Sequence, residues 1–245
     1  MLNSLAAFPI VFVIGVLAGL VINKVVAWLP LYLFGQWVRE ARDILECPLD
    51  HPPVTTPRVH HSTPRRLLVA MCSGLLSVVA LYHFEPSPEG VAFMVLTWSL
   101  IAVSLIDADH QLIPDLIVIP LIWIGLIVNS FGFYATHSSA LAGAVGGYLS
   151  LWFVAKFFQV VAGRDGIGHG DFKLLSVIGA WGGWHILPFT VFLAALLGVL
   201  VYVLNRCLNV GPVSRSEMVP FGPYISAAGW VAVVYSPSAI SFFLI

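Results

Sequence analysis

GIGHGDFKLL, from Gly166 to Leu175, is a glycine-rich turn that carries one carboxylate, Asp171, between two hydrophobic runs. A second acidic stretch, IDADHQLIPD, lies upstream of it, from Ile106 to Asp115. The hydrophobic runs around both stretches are long enough to be membrane spans. We therefore expect the fold to bring Asp107 and Asp171 together at a membrane surface.

The composition is that of an integral membrane protein. Apolar residues make up 59% of the chain and charged residues 9%, against about 25% charged in a soluble domain. The net charge of −1 gives no reason to expect a nucleic-acid partner. The three cysteines, Cys47, Cys72 and Cys207, form no C-x-x-C pair, which excludes a disulfide framework and a four-thiolate zinc site.

The hydropathy pattern predicts an all-α polytopic protein with about eight transmembrane helices, since a bilayer core requires about 20 apolar residues per helix. The amino-terminal run has no basic region before it and is interpreted as a retained span, not a signal peptide. The sixth span is short and contains glycines. The predicted spans are Leu5 to Leu29, Leu67 to Phe84, Val91 to Ile106, Leu116 to Phe133, Leu141 to Ala162, Phe172 to Trp184, Leu187 to Leu204 and Tyr224 to Leu244.

Basic residues predict the orientation of these spans. The arginines and Lys173 fall in or beside alternate loops, whereas the opposite loops contain Glu85 and Glu89 but no Lys or Arg. By the positive-inside rule, the arginine-bearing loops are cytosolic and both termini face outward. Both acidic stretches then lie on the cytosolic side. The cytosolic loops are 30–66, 107–115, 163–173 and 205–220.

Loop 30–66 is predicted to begin with an amphipathic segment, LYLFGQWVREARDILE, and to continue as irregular, proline-rich chain. In that segment, Trp37, Ile44 and Leu45 would lie on the membrane surface while the charged residues face water. With no internal repeat and no second soluble domain, residues 1–245 are expected to form a single membrane domain.

Ionisable groups at the edge of a membrane bundle are costly and are candidates for function. Asp107 directly follows an apolar run, at the cytosolic end of the third span. For Asp109, the alternative to a role in the active site is a solvated or structural role. Asp115 follows Pro114 and is predicted to cap the next helix, because aspartate is favoured at that position.

Asp171 opens the sixth span directly after Gly166, Gly168 and Gly170. Glycine lets another backbone approach without a Cβ in the way. A phosphate-binding loop is excluded, because no G-K-[ST] ending follows and a carboxylate stands where a cation would be needed. Two interpretations of the neighbouring His169 and Lys173 stay open. Either residue could support the site, or it could be an interfacial residue with no part in the chemistry.

Two carboxylates at one membrane face suggest aspartic-protease chemistry. Like charges held close together do not both ionise easily, so the pair shares a proton. One aspartate then takes a proton from the attacking water while the other donates to the developing oxyanion. The chain has no H-E-x-x-H or G-x-S-x-G motif and no plausible cysteine nucleophile.

The motifs D-x-D-x-x-x-I-P-D (Asp107 to Asp115) and G-x-G-x-G-D-x-K-L (Gly166 to Leu174) resemble those of the type IV prepilin peptidases, bacterial membrane aspartic proteases. G-x-x-x-N-x-x-x-x-x-L-P at Gly19 to Pro30 and V-P-F-G-P-Y at Val219 to Tyr224 also match. The resemblance maps the catalytic aspartates onto Asp107 and Asp171. Residues that would support the pair or position substrate are Asp109, Pro114, Gly168, His169, Gly170 and Lys173.

The resemblance implies cleavage of the basic leader of type IV prepilins or type II secretion pseudopilins, after a glycine, at the cytosolic face of the bacterial inner membrane. Many family members also methylate the new amino terminus with S-adenosylmethionine and carry two C-x-x-C pairs after the first span. Here only Cys47 remains, and Trp28 replaces the usual arginine before Leu-Pro. Methylation is therefore open.

Zinc bound by Cys47 with His51, His60 and His61 is not expected, because these residues lack a regular ligand spacing. Proteolysis by two aspartates requires no cofactor.

Two other hypotheses stay open. Presenilin-like proteases also use G-x-G-D and would act on other membrane substrates, although their Tyr-Asp and Pro-Ala-Leu motifs are not found here. A proton-coupled transporter could also use paired intramembrane carboxylates. It would need polar residues deep in several spans, and the chain offers little beyond Asn23, Asn129 and scattered Ser and Thr.

Overall fold

The computed structural model describes residues 2–45, 62–163, 168–208 and 220–235. Over these ranges the chain is helical and contains no strand, which confirms the predicted all-α architecture. The elements are α1 (Leu2–Leu45), α2 (Thr63–Phe84), α3 (Pro88–His110), α4 (Asp115–Ser130), α5 (His137–Ala162), α6 (His169–Gly182), a 3-10 turn (Trp184–Ile186), α7 (Leu187–Cys207) and α8 (Gly222–Val234). Within the described residues, five of these helices, α1, α2, α3, α5 and α7, are long and apolar enough to cross a membrane.

Helix α1 does not end with the predicted first span at Leu29. It continues through Pro30 to Leu45, so the predicted amphipathic segment is helical and continuous with that span. A proline inside a helix removes one hydrogen bond to the preceding turn, and here the turns on both sides remain helical. The location of Trp37 and Ile44 at the membrane surface stays a prediction.

The chain divides into two compact units, Met1–Val78 and Val79–Ile245. The expectation of a single domain stays a prediction. In the first unit, α1 and α2 pack through small residues. A Cβ added to Gly19 would lie 2.5 Å from the Cα of Ala70. Small residues of this kind let membrane helices approach closely. The side chain of Asn23 also joins the two helices, because its Nδ2 donates to the Arg66 carbonyl at 3.0 Å.

In the second unit, α6 is the buried element. It has 14 residues, or about 21 Å of helix, less than the thickness of a bilayer core. From Asp171 to Gly182, every residue except Lys173 is buried. It packs against α4, α5 and α8. Because other helices enclose it, α6 does not need the length of a lipid-facing span.

Glycines bring α5 and α6 into backbone contact. A Cβ added to Gly143 would lie 2.3 Å from the carbonyl oxygen of Gly179, and one added to Gly147 would lie 2.7 Å from the carbonyl oxygen of Leu175. Ser176 adds a hydrogen bond, since its Oγ donates to the Ala144 carbonyl at 2.7 Å. These contacts fix the depth and rotation of α6 against α5.

Asn129 holds the carboxyl end of α6. Its Nδ2 donates to the carbonyls of Ala180 and Trp181, each at 2.8 Å, and its Oδ1 accepts from the backbone N–H groups of Tyr134 and Ala135, each at 3.0 Å. The last carbonyls of a helix have no partner within the helix. The buried Asn129 amide therefore uses its full hydrogen-bonding capacity to anchor this end of α6.

We expect Gly143→Ala to destabilise the protein by about 1 to 3 kcal/mol, because the new Cβ would force α5 and α6 apart. Gly146→Ala is the matched control on the same helix, where the added Cβ would lie no closer than 3.8 Å to any of the surrounding atoms. Thermal unfolding of both variants in detergent micelles measures the difference. Equal melting temperatures would contradict the close contact.

Candidate active site

Asp107 lies in the last turn of α3, and 5% of its surface is exposed. The helix ends at His110, because Gln111 adopts a left-handed conformation with φ 52°. The Gln111 N–H donates to the Asp107 carbonyl at 2.8 Å, which closes the helix. Asp107 is thus the last buried side chain of α3 before the chain turns into α4.

Asp171 is the third residue of α6, and 8% of its surface is exposed. Its carboxylate accepts a hydrogen bond from the backbone N–H of Gly168, the residue that caps α6. A carboxylate at this position commonly satisfies the free N–H of the capping residue. A Cβ on Gly168 would lie 3.3 Å from Asp171 Oδ2, so glycine leaves room for the carboxylate.

The two carboxylates form a pair. The negative charge of Asp107 acts on Asp171, and these are the two buried acidic side chains in the described ranges. Two carboxylates at close quarters in a buried site do not both ionise easily, so a shared proton is the favourable state. The structure therefore brings together the two residues that the sequence singled out.

Helix α8 supplies a third part of the site. The backbone N–H of Gly222, the first residue of α8, donates to Asp107 Oδ2 at 2.9 Å. A Cβ on Gly222 would lie 2.7 Å from the same oxygen. The amino end of a helix also stabilises a negative charge. Sequence reasoning noted V-P-F-G-P-Y as a matching motif but missed this contact; the available signal was a Gly-Pro pair at the start of a span.

The start of α6 rests on the start of α4. A Cβ on Gly170 would lie 2.7 Å from the Cβ of Ile113, so this glycine makes room for a side chain. Lys173 Nζ donates to both carboxylate oxygens of Asp115, at 2.7 and 2.8 Å. The predicted capping role of Asp115 is wrong, because Pro114 occupies the cap position and Asp115 is the first helical residue. Its carboxylate is held by Lys173 instead.

Two predicted residues lie apart from the pair. Asp109 is two residues beyond Asp107, which corresponds to about 200° around the helix, and it is half-buried with interactions of its own. His169 is exposed, and its ring packs at 5.4 Å from that of Phe172. Gly166 lies outside the described residues.

In the described ranges, no group of three His, Cys, Asp or Glu side chains could hold a metal ion. The sequence-level candidates for a metal site, Cys47, His51, His60 and His61, lie outside those ranges. The arrangement around Asp107 and Asp171 is a pair of buried carboxylates at which protons can be exchanged, bordered by backbone N–H donors.

The family model and the similar proteins found by comparison point to the same family. Residues 94–203, which include both aspartates, match the model of the type IV leader peptidase family. A prepilin leader peptidase/N-methyltransferase of Stutzerimonas stutzeri is 37% identical, with 99% of this chain and 95% of the relative covered. A protein of the same name from Pseudomonas aeruginosa is 39% identical, with 96% and 94% covered. One from Pseudomonas putida is 41% identical, with 91% and 88% covered. No solved structure matches the chain.

Proposed function

We propose that this chain, which belongs to the type IV leader peptidase family, is a membrane aspartic endopeptidase that cleaves the leader of type IV prepilins or type II secretion pseudopilins. Asp107 and Asp171 are its catalytic pair. The observation that carries this proposal is the burial of both carboxylates at helix ends, Asp107 in the last turn of α3 and Asp171 in the first turn of α6.

In the proposed reaction the pair shares one proton. The ionised carboxylate takes a proton from water as the water oxygen attacks the scissile carbonyl carbon, and the protonated carboxyl donates to the carbonyl oxygen. The C–N bond of the resulting tetrahedral intermediate then breaks, and the leaving nitrogen receives a proton from the pair. The Gly222 N–H stabilises Asp107 whenever that carboxylate is ionised.

We place this site on the cytosolic face of the bacterial inner membrane, with both termini outside. In the second unit, the end of α3 and the starts of α6 and α8 meet at the carboxylate pair. Arg206, in the last turn of α7, lies in the chain leading to α8. The opposite connections, 85–87, 131–136 and 183–186, contain no Lys or Arg. This asymmetry supports the orientation by the positive-inside rule.

The relatives are also named N-methyltransferases, and methyl transfer would use S-adenosylmethionine as donor. The cysteine-rich arrangement that the resemblance associates with this second activity does not fit this chain, which has Cys47 alone in that loop. No step of the proposed cleavage involves the methyl donor.

Asp107→Asn and Asp171→Asn are each expected to lower prepilin cleavage at least about 100-fold, because either change removes a proton-transfer group. In Asp107→Asn the new side-chain amide oxygen can still accept the Gly222 N–H, so the fold is retained. Cleavage is measured by gel shift of prepilin added to inside-out membrane vesicles, which expose the cytosolic face.

Asp109→Asn is the matched control and is expected to keep most of the activity, because Asp109 faces away from the pair. Full activity in either Asp107→Asn or Asp171→Asn would refute the catalytic assignment. If the wild-type protein had no peptidase activity but carried protons across the membrane of proteoliposomes, a transporter would be favoured instead.

Gly222→Ala is expected to lower kcat about tenfold or more, since its Cβ would displace Asp107 Oδ2. Gly198→Ala in α7 is the control, because its Cβ would lie 3.5 Å from the nearest ring atom of Tyr224, an ordinary contact. The same cleavage assay with purified variants gives the comparison. Equal rates for the two variants would show that Asp107 tolerates displacement at this end of α8.

The substrate class is tested with a panel containing a prepilin, the same prepilin without its basic leader, and an unrelated membrane span. We expect cleavage of the first alone. Cleavage of all three would favour a G-x-G-D protease with other membrane substrates. With S-adenosylmethionine present, the product mass separates peptidase activity from peptidase plus methyltransferase activity, since methylation adds about 14 Da.

A further inference from the structure

Lys173 and Asp115 form an ion pair between the first turn of α4 and the start of α6. Both carboxylate oxygens of Asp115 accept from Lys173 Nζ, at 2.7 and 2.8 Å. The two side chains are 31% and 54% exposed. An ion pair this accessible to solvent contributes little to the free energy of unfolding, about 0 to 1 kcal/mol.

The residues of α6 that contact Ile113, just before α4, and Asp115, its first residue, lie on either side of Asp171 in the sequence. Gly170 and Lys173 are three residues apart and therefore share one face of α6. That face rests on Ile113 and Asp115. Asp171 is turned by about 100° from Gly170 and by about 200° from Lys173, so the lysine does not face the catalytic carboxylate along the helix.

The ion pair completes a closed path of covalent and noncovalent links that contains both Asp107 and Asp171. From Asp107 the chain turns at Gln111, which ends α3, and reaches Asp115 at the start of α4. The ion pair then leads to Lys173, which is two residues from Asp171. Apart from the pair of carboxylates itself, every link of this path is covalent chain or the bond between Lys173 and Asp115.

We propose that the Lys173–Asp115 ion pair is a positioning device that sets Asp171 against Asp107 by fixing the start of α6 to the first turn of α4. The inference rests on the proposed function. Neither residue acts on the substrate. Misplacing a catalytic group by about 1 Å can lower the rate about 100-fold. Loss of the ion pair is therefore expected to lower kcat more than it lowers the free energy of unfolding.

A double-mutant cycle tests this device. Lys173→Met and Asp115→Ala are each expected to lower kcat for prepilin about ten- to 100-fold, with KM within about twofold of wild type. Because the two side chains act as one unit, the double variant is expected to be no slower than the slower single variant. Lys173→Arg keeps the charge and is expected to recover most of the rate.

Lys156→Ala is the matched control, since this exposed lysine bonds the uncharged Gln159 on α5; it is expected to leave kcat unchanged. Independent effects that multiply in the double variant, or wild-type kcat in Lys173→Met, would overturn the proposal. So would a large fall in melting temperature in either single variant, which would make the pair a stability element. A wild-type protein that does not cleave prepilin would instead reject the proposed function.

Discussion

The mutual repulsion of Asp107 and Asp171 is the constraint on which the rest of the second unit depends. Two buried carboxylates at close quarters are unfavourable unless their charge is shared or offset. The fold offsets it with backbone, because the Gly168 N–H bonds Asp171 and the Gly222 N–H bonds Asp107. Both donors lie at the starts of helices, where the helix dipole adds to the hydrogen bond.

Glycine makes this arrangement sterically possible, for different reasons at different positions. At Gly168 and Gly222 it leaves space for a carboxylate oxygen, and at Gly170 it admits the side chain of Ile113. At Gly143 and Gly179 it brings the backbones of α5 and α6 together. The first group shapes the site, whereas the second determines how α6 lies within the bundle and therefore where Asp171 can be.

Much of this could be predicted from sequence, because apolar runs end where membrane helices end. Asp107 and Asp171 were located at span ends for that reason. Contacts between distant segments could not be predicted: Asp107 bonds Gly222 across 115 positions, and Lys173 bonds Asp115 across 58. The continuation of α1 through Pro30 was also missed, since local propensity favours a break there and does not reveal what the neighbouring turns retain.

The acidic stretch from Asp107 to Asp115 shows why residue type alone does not define a role. Its three aspartates have the same side chain but lie in three different environments. Asp107 is buried against α8, and Asp109, about 200° further around α3, is half-buried away from the pair. Asp115 lies beyond the left-handed turn at Gln111 and bonds Lys173. Helix register and one reversal of the chain thus assign one carboxylate to the pair and another to the ion pair that holds α6.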